Sequence, residues 1–161
     1  GRNTHYKGYN LLKKIIKDLP NINFICVTDY KFDHIPKNLQ ILKHINETDK
    51  IKIIHNAHLV MSTSTNKAES LGMILLEAIY YKKPIIGFNL NTGINKLIKN
   101  NKNGYLIKKF DLEDYKKKLS KIYFDKIKFK KFSKFQTKYY KILKTGYSKL
   151  ELEYERLIHN K

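Results

Sequence analysis

Short apolar runs alternate with amphipathic segments along the first two thirds of this chain, and that alternation restricts the fold more than any single residue does. A helical stretch at about 8–19 ends before Pro20, a strand-like run occupies about 22–28, and a shorter one at 39–42 follows Pro36. A helix at about 48–56, a strand at 58–62, a helix at 70–81, a strand at 84–88, a short helix near 93–99 and a strand at 104–107 complete the series. Strands joined through helices by short loops pair in parallel, because the right-handed crossover returns each strand in the same direction. The pattern predicts an α/β fold, a Rossmann-like doubly wound parallel sheet with its ligand crevice at the carboxyl ends of the strands. Arg2, Glu69 and Asn89 each follow a strand and so fall on that edge. From 111 onward the periodicity is helical only, with helices expected at 111–123, 127–143 and 147–159. The last carries Tyr147, Leu150, Tyr154, Leu157 and Ile158 on one stripe that needs a partner.

The segment Ala68-Glu69-Ser70-Leu71-Gly72-Met73-Ile74-Leu75-Leu76-Glu77-Ala78 is the most informative for chemistry. Leu71, Ile74, Leu75 and Ala78 recur at helical spacing, which gives the helix an apolar face for the sheet. Gly72 falls in the first turn, where backbone amides lack intrahelical partners and the dipole is positive, so a phosphate can approach unobstructed. Glu77 lies five residues beyond Gly72, roughly 7 to 8 Å along the helix, about the reach from a diphosphate to a ribose. Glu69 precedes the helix and can accept hydrogen bonds from sugar hydroxyls on the other side of the amides. The competing reading makes Glu69 a charge stabilising the helix dipole and Glu77 a solvated residue.

This segment resembles the donor-binding motif of retaining GT-B glycosyltransferases of family 4, and three further stretches occur in that family's order. Gly1-Arg2-Asn3-Thr4-His5-Tyr6-Lys7-Gly8-Tyr9 resembles the Gly-Arg, four residues, Lys-Gly segment after the first strand of the C-terminal domain. Ala78-Ile79-Tyr80-Tyr81-Lys82-Lys83-Pro84-Ile85-Ile86-Gly87 is similar to the helix end and next strand, and Asn103-Gly104-Tyr105-Leu106-Ile107 with Phe110-Asp111 to the segment that closes the nucleotide site. The resemblance covers roughly 1–122. It implies that Arg2 and Lys7 contact the diphosphate, Glu69 holds the donor sugar, Leu71 and Gly72 supply loop amides, and Glu77 holds the ribose. Preorganised cations and amides of this kind stabilise the charge on a departing nucleoside diphosphate without a metal. Ser70 and Leu71 stand where the family usually has Gly and Phe, Lys82 where it has Gly, and Asn95-Lys96 where Pro-Glu is common.

The resemblance divides the chain into a donor-binding Rossmann-like domain at 1–124, its first strand truncated, and a helical extension at 125–161 that packs on it or on a missing N-terminal domain. It implies a hexosyltransferase that takes a nucleoside-diphosphate sugar, with UDP slightly favoured over GDP and both open. The sugar goes to a glycan, lipid-linked or protein acceptor. The acceptor half would lie on the missing domain, so these residues alone would transfer nothing. A nucleotide-sugar epimerase of the same architecture and a non-catalytic binding relative are the alternatives.

Composition narrows the remainder. The 161 residues suit one core-forming domain, and the first residue is Gly, so a longer polypeptide is expected, cytoplasmic in character and without a signal peptide. The net charge of +19 raises nucleic acid as a partner. That reading is set aside because lysines run along the whole chain while the only arginines are Arg2 and Arg156. Their scarcity gives Arg2 weight as a forked phosphate donor. Lysines interleaved with aromatic residues over 116–149 make peripheral contact with an anionic membrane a minor hypothesis against a solvated helix face. His55 and His58 lack a carboxylate or cysteine at ligand spacing, so no metal site is expected, and no cofactor beyond the substrate itself. His44 falls where related proteins pass the nucleotide base, and His5 is expected to face solvent. Cys26, the single cysteine, sits in a strand-like run and fills core.

Overall fold

The computed structural model describes residues 5–68 and 73–159. Parallel strands form two sheets there: β1 (Phe24–Val27) pairs with β2 (Leu39–Leu42), and β4 (Ile85–Phe88) lies between β3 (Val60–Ser62) and β5 (Gly104–Ile107). The helices are α1 (Tyr9–Lys17), α2 (Glu47–Asn56), α3 (Met73–Tyr80), α4 (Gly93–Leu97), α5 (Leu112–Phe124) and α6 (Lys126–His159). The α/β class and parallel pairing are as the alternation predicts. Strand β4 is buried at all four positions and carries Ile85, Ile86 and Phe88, the near-continuous apolar run of a parallel strand covered on both faces.

Side chains from every layer meet in one core. Leu12, Ile15 and Ile16 of α1, Leu75, Ala78 and Ile79 of α3, and Tyr115, Leu119 and Ile122 of α5 are buried. In α3 the buried stripe is thus 75, 78 and 79. Ile74, expected on the core face, is exposed, because the helix is rotated so that Ile79 instead reaches the sheet. Two polar side chains stitch the layers. The fully buried Tyr115 hydroxyl sits 3.1 Å from the Ser62 carbonyl and 3.3 Å from that of Ile86, which ties α5 to β3 and β4. The Asn38 amide nitrogen lies 2.9–3.2 Å from the carbonyls of Ile16, Leu19 and Ile22, closing the turn after α1.

Two of the residues that depart from the family pattern, Lys82 and Asn95, have a structural duty. Lys82 ends α3 in a left-handed conformation at φ 59°, with its amide on the Ile79 carbonyl and that of Lys83 on Ala78. This is the Schellman arrangement that glycine usually provides. Asn95 closes a capping box with Thr92 at the start of α4 and holds the Leu90 amide as well.

The C-terminal region differs from expectation. The separate helices expected at 127–143 and 147–159 are one continuous helix, α6, of 34 residues, about 50 Å long. Gly146 falls between the two expected helices, but a lone glycine costs a helix only about 1 kcal/mol relative to alanine, and no proline interrupts the run. Phe132 packs on Tyr105 of β5, Gln136 bonds Asn103 and the Lys83 carbonyl, and the Tyr139 hydroxyl donates to the Lys96 carbonyl of α4. The stripe of Tyr147, Leu150, Tyr154, Leu157 and Ile158 lies outside the described side chains.

Candidate active site

The loops after β1, β3, β4 and β5 converge with the N-terminus of α1 at one edge of the fold. The segment before α1 ties them together. The Thr65 amide donates to the Tyr6 carbonyl at 2.7 Å, and the Thr63 hydroxyl to the Lys7 carbonyl at 2.9 Å. Two residues on, the Tyr9 hydroxyl accepts from Thr28 at 2.8 Å. Residues 5–9 therefore bridge the ends of β1 and β3. Gly8 makes the bridge possible. It sits at φ 69°, and a Cβ there would collide with the Thr63 carbonyl.

Two clefts flank Thr65 on this edge. One, of about 230 Å³, is lined by His5, Gly8, Tyr9, Asn10 and Tyr30 with Phe110 at its rim. Its aromatic wall is rigid: Tyr9 and Tyr30 stack with ring centroids 4.4 Å apart, and Phe32 packs edge-on against both. Burial pushes the Tyr9 hydroxyl above its ordinary range, so it remains a neutral hydrogen-bonding group. The other cleft, of about 300 Å³, is polar and cationic, lined by Thr65, Asn66, Lys67, Asn89, Asn91 and Lys109. Asn89 orders this cleft, its side-chain oxygen accepting from Asn95 at 2.6 Å and from the Asn91 amide at 3.3 Å. Such a pair of adjoining clefts, one aromatic and one rich in amides and ammonium groups, suits a ligand with a flat ring at one end and charged or hydroxylated groups beyond it.

The expected site residues fall into two groups. Arg2, Glu69, Ser70, Leu71 and Gly72 lie outside the described residues. Lys7 is on the bridging segment, with its ammonium 5.5 Å from the centre of the Tyr6 ring. Glu77 is on α3 with its side chain 27% exposed, and its Oε1 pairs with Lys50 of α2 at 2.8 Å. Lys50 also reaches Glu47 at 2.7 Å, and these two carboxylates raise its pKa above the usual lysine range. No hydrogen bond among the described residues occupies Glu77 Oε2, which leaves that oxygen for a hydroxyl.

Other motif residues hold the fold. Asn103 is fully buried, donating to Leu97 and to Gln136 of α6 and accepting from the Lys99 amide. A Cβ at Gly104 would strike the Ile85 carbonyl. Asp111 accepts from the Asp114 amide at 3.0 Å and caps α5. His5 is exposed and lines the aromatic cleft, and His44 Nε2 lies 3.5 Å from Asp29 at the ends of β2 and β1. His55 and His58 pack against Tyr81 and against Tyr123 and Phe129, respectively. Among the described residues no group of three His, Cys, Asp or Glu comes together. Cys26 is half-buried against the core, and desolvation raises its thiol pKa.

Sequence reasoning missed Tyr30, Lys50, Lys67 and Lys109. Tyr30 and Lys109 each follow a strand, so their positions carried a signal. The Lys50–Glu77 pair spans 27 residues and had none.

The family model for glycosyl transferases group 1 matches residues 1–139. The chain is 36% identical over 86 residues to a poly(ribitol-phosphate) alpha-N-acetylglucosaminyltransferase of Staphylococcus aureus strain COL, covering 52% of this chain and 17% of that protein. It is 28% identical over 116 residues to the capsular polysaccharide biosynthesis glycosyltransferase CapM of Staphylococcus aureus, covering 72% of this chain and 29% of CapM. The chain thus spans less than a third of the length of either relative. Among solved structures it resembles TarM at a TM-score of 0.72 and 21% identity, covering 84% of this chain and 29% of that one. It also resembles Anabaena Alr3699/HepE in complex with UDP-glucose, at a TM-score of 0.73 and 19% identity, covering 84% and 41% of the two chains. The structural likenesses place the fold among glycosyltransferase Rossmann-like domains, and the family match over most of the chain identifies it: this chain belongs to the glycosyl transferases group 1 family.

Proposed function

We propose that this chain is the donor-binding half of a retaining, family 4 glycosyltransferase of the GT-B architecture. In this reading 1–124 bind a nucleoside-diphosphate sugar, 125–161 form a helical extension, and an N-terminal domain of the longer protein presents a glycan, lipid-linked or protein acceptor. The observation that carries the reading is the bridge of residues 5–9 to Thr63 and Thr65, which sets the Lys7-Gly8 turn against the end of β3. A diphosphate lying there meets Lys7, with its remaining oxygens assigned to Arg2 and the amides at Leu71 and Gly72.

Each residue then has a task. Arg2 and Lys7 neutralise the diphosphate, and the amides at Leu71 and Gly72 add dipoles aimed at the same oxygens, so charge on the departing nucleoside diphosphate is stabilised as it develops. Glu69 orients the sugar hydroxyls. Glu77 accepts from the ribose through Oε2 while Lys50 fixes the carboxylate through Oε1. The flat wall at Tyr9 and Tyr30 suits a planar ring, and the cleft between Lys67 and Lys109 suits hydroxylated or anionic groups. With cations and amides carrying the leaving-group charge, transfer proceeds without a metal, and full-length protein is expected to keep its activity in chelator.

UDP is the preferred nucleotide. Anabaena Alr3699/HepE was solved with UDP and with UDP-glucose, and the stacked Tyr9–Tyr30 wall offers a flat face for its base. A thermal-shift panel of UDP, GDP, ADP and their sugars tests the reading, since a ligand of the folded state raises apparent stability by mass action. A rise with UDP and UDP-sugars is expected; a flat response to all of them contradicts it.

A further inference from the structure

We propose that the outward face of α6 and the α5–α6 corner form a docking surface for an anionic lipid bilayer. This inference stands on the helical region alone and is independent of the donor site. Residues 126–150 contain nine lysines and no acidic residue. At 100° per residue, Ile127, Lys130, Lys131, Lys134, Lys138 and Lys141 fall within an arc of about 120°. All six are exposed. Phe132, Gln136 and Tyr139 occupy the opposite side and are buried against the domain. The lysine face is therefore directed outward by the packing of the helix, not merely by its composition.

Two apolar groups stand at the end of this face. Ile127 is 82% exposed and Phe124, at the end of α5, is 61% exposed. Asp125 between them is occupied in capping α6, accepting from the Lys128 amide at 2.9 Å. None of Lys126, Lys130, Lys131, Lys134, Lys138 and Lys141 takes part in an ion pair among the described residues. Non-specific binding to a duplex phosphate backbone asks only for cations. A bilayer with anionic headgroups asks for cations together with apolar side chains that enter the interface, and the corner supplies both. Among the described residues no helix is long and apolar enough to cross a membrane, so the contact is peripheral.

Cosedimentation of the 161-residue chain with vesicles tests the surface, using phosphatidylcholine alone and phosphatidylcholine mixed with phosphatidylglycerol. Binding to the mixed vesicles, little to the neutral ones, and release by high salt are expected. Reversing Lys130 and Lys134 to Glu lowers the partition constant at least about fivefold per lysine. The double variant Phe124→Ser, Ile127→Ser also weakens it several-fold while circular dichroism stays native, since both side chains are exposed. Polyuridylate binding and sedimentation velocity complete the test. Three results overturn the proposal: no binding to the mixed vesicles; polyuridylate binding as tight as vesicle binding with Phe124→Ser, Ile127→Ser indifferent to both; or self-association that this double variant abolishes, which makes a second copy the occupant.

Discussion

The turn at Asn103-Gly104 and the turn at Lys7-Gly8 both resemble motifs of the same family in sequence, yet they do different work. At the first, the side chains are consumed by the fold: Asn103 is buried with three partners, linking the end of α4 to Gln136 of α6. At the second, the backbone carbonyls of Tyr6 and Lys7 carry the structural bonds to Thr65 and Thr63, and Gly8 lines a cleft. Motif strength in a sequence therefore does not separate a ligand contact from a fold contact. What separates them is where the hydrogen bonds go.

That contrast can be broken at several points. Gly104→Ala drives a methyl group into the backbone of the central strand, which cannot yield as a side chain can, and stability is expected to fall by about 3 kcal/mol or more. Asn103→Ala is nearly as damaging, at about 1–3 kcal/mol for each buried group left unpaired. Chemical denaturation measures both, and a near-native midpoint for either would put the turn on the ligand side of the comparison.

Gly8→Ala is intermediate. It costs about 1–2 kcal/mol for the left-handed backbone plus the clash with Thr63, and it shifts the bridge, so nucleotide affinity is expected to fall along with the melting temperature. Loss of stability alone, with unchanged affinity, would make Gly8 another structural glycine.

Lys50→Ala separates the two kinds of role more finely. Both partners of its pair are near 30% exposed on their side chains, so stability changes by less than about 1 kcal/mol. Nucleotide affinity is expected to fall roughly fivefold as Glu77 loses its fixed orientation, an effect near 1 kcal/mol. Isothermal titration reads the affinity, and no change would detach α2 from the site. The smallest effect is at Asp18, whose pKa the Lys116 hydrogen bond lowers. A depressed carboxylate contributes stability above its ordinary range, and that contribution disappears as pH falls through the lowered value. Asp18→Asn should therefore melt slightly earlier at neutral pH and equally at strongly acid pH.

The fold was legible because its signal is periodic and repeated. Each strand appears as an apolar run, and β1, β2, β3, β4 and β5 all fall within the predicted runs. The break expected between 143 and 147 is absent because a single glycine weakens a helix by an amount that neighbouring helix formers such as lysine and leucine readily offset. The rotation of α3 was missed because Ile74 and Ile79 are equally apolar, so their order in the sequence cannot decide which meets the sheet. Of the candidate site, Glu77 was singled out by its spacing from Gly72 and Lys7 by the family resemblance. Lys50 was not, since an ion pair between two helices follows from how they pack and leaves no local pattern. Tyr30 and Lys109 follow strands and were within reach of the same edge argument that found Asn89.

Titration of UDP into the 161-residue chain and its Glu77→Ala variant tests the central claim most directly. Saturable binding at one site, roughly tenfold weaker in the variant, an effect near 1.4 kcal/mol, is the predicted result. Equal affinity in the two proteins, or no binding of UDP to either, would contradict a ribose held by Glu77 at this edge of the sheet.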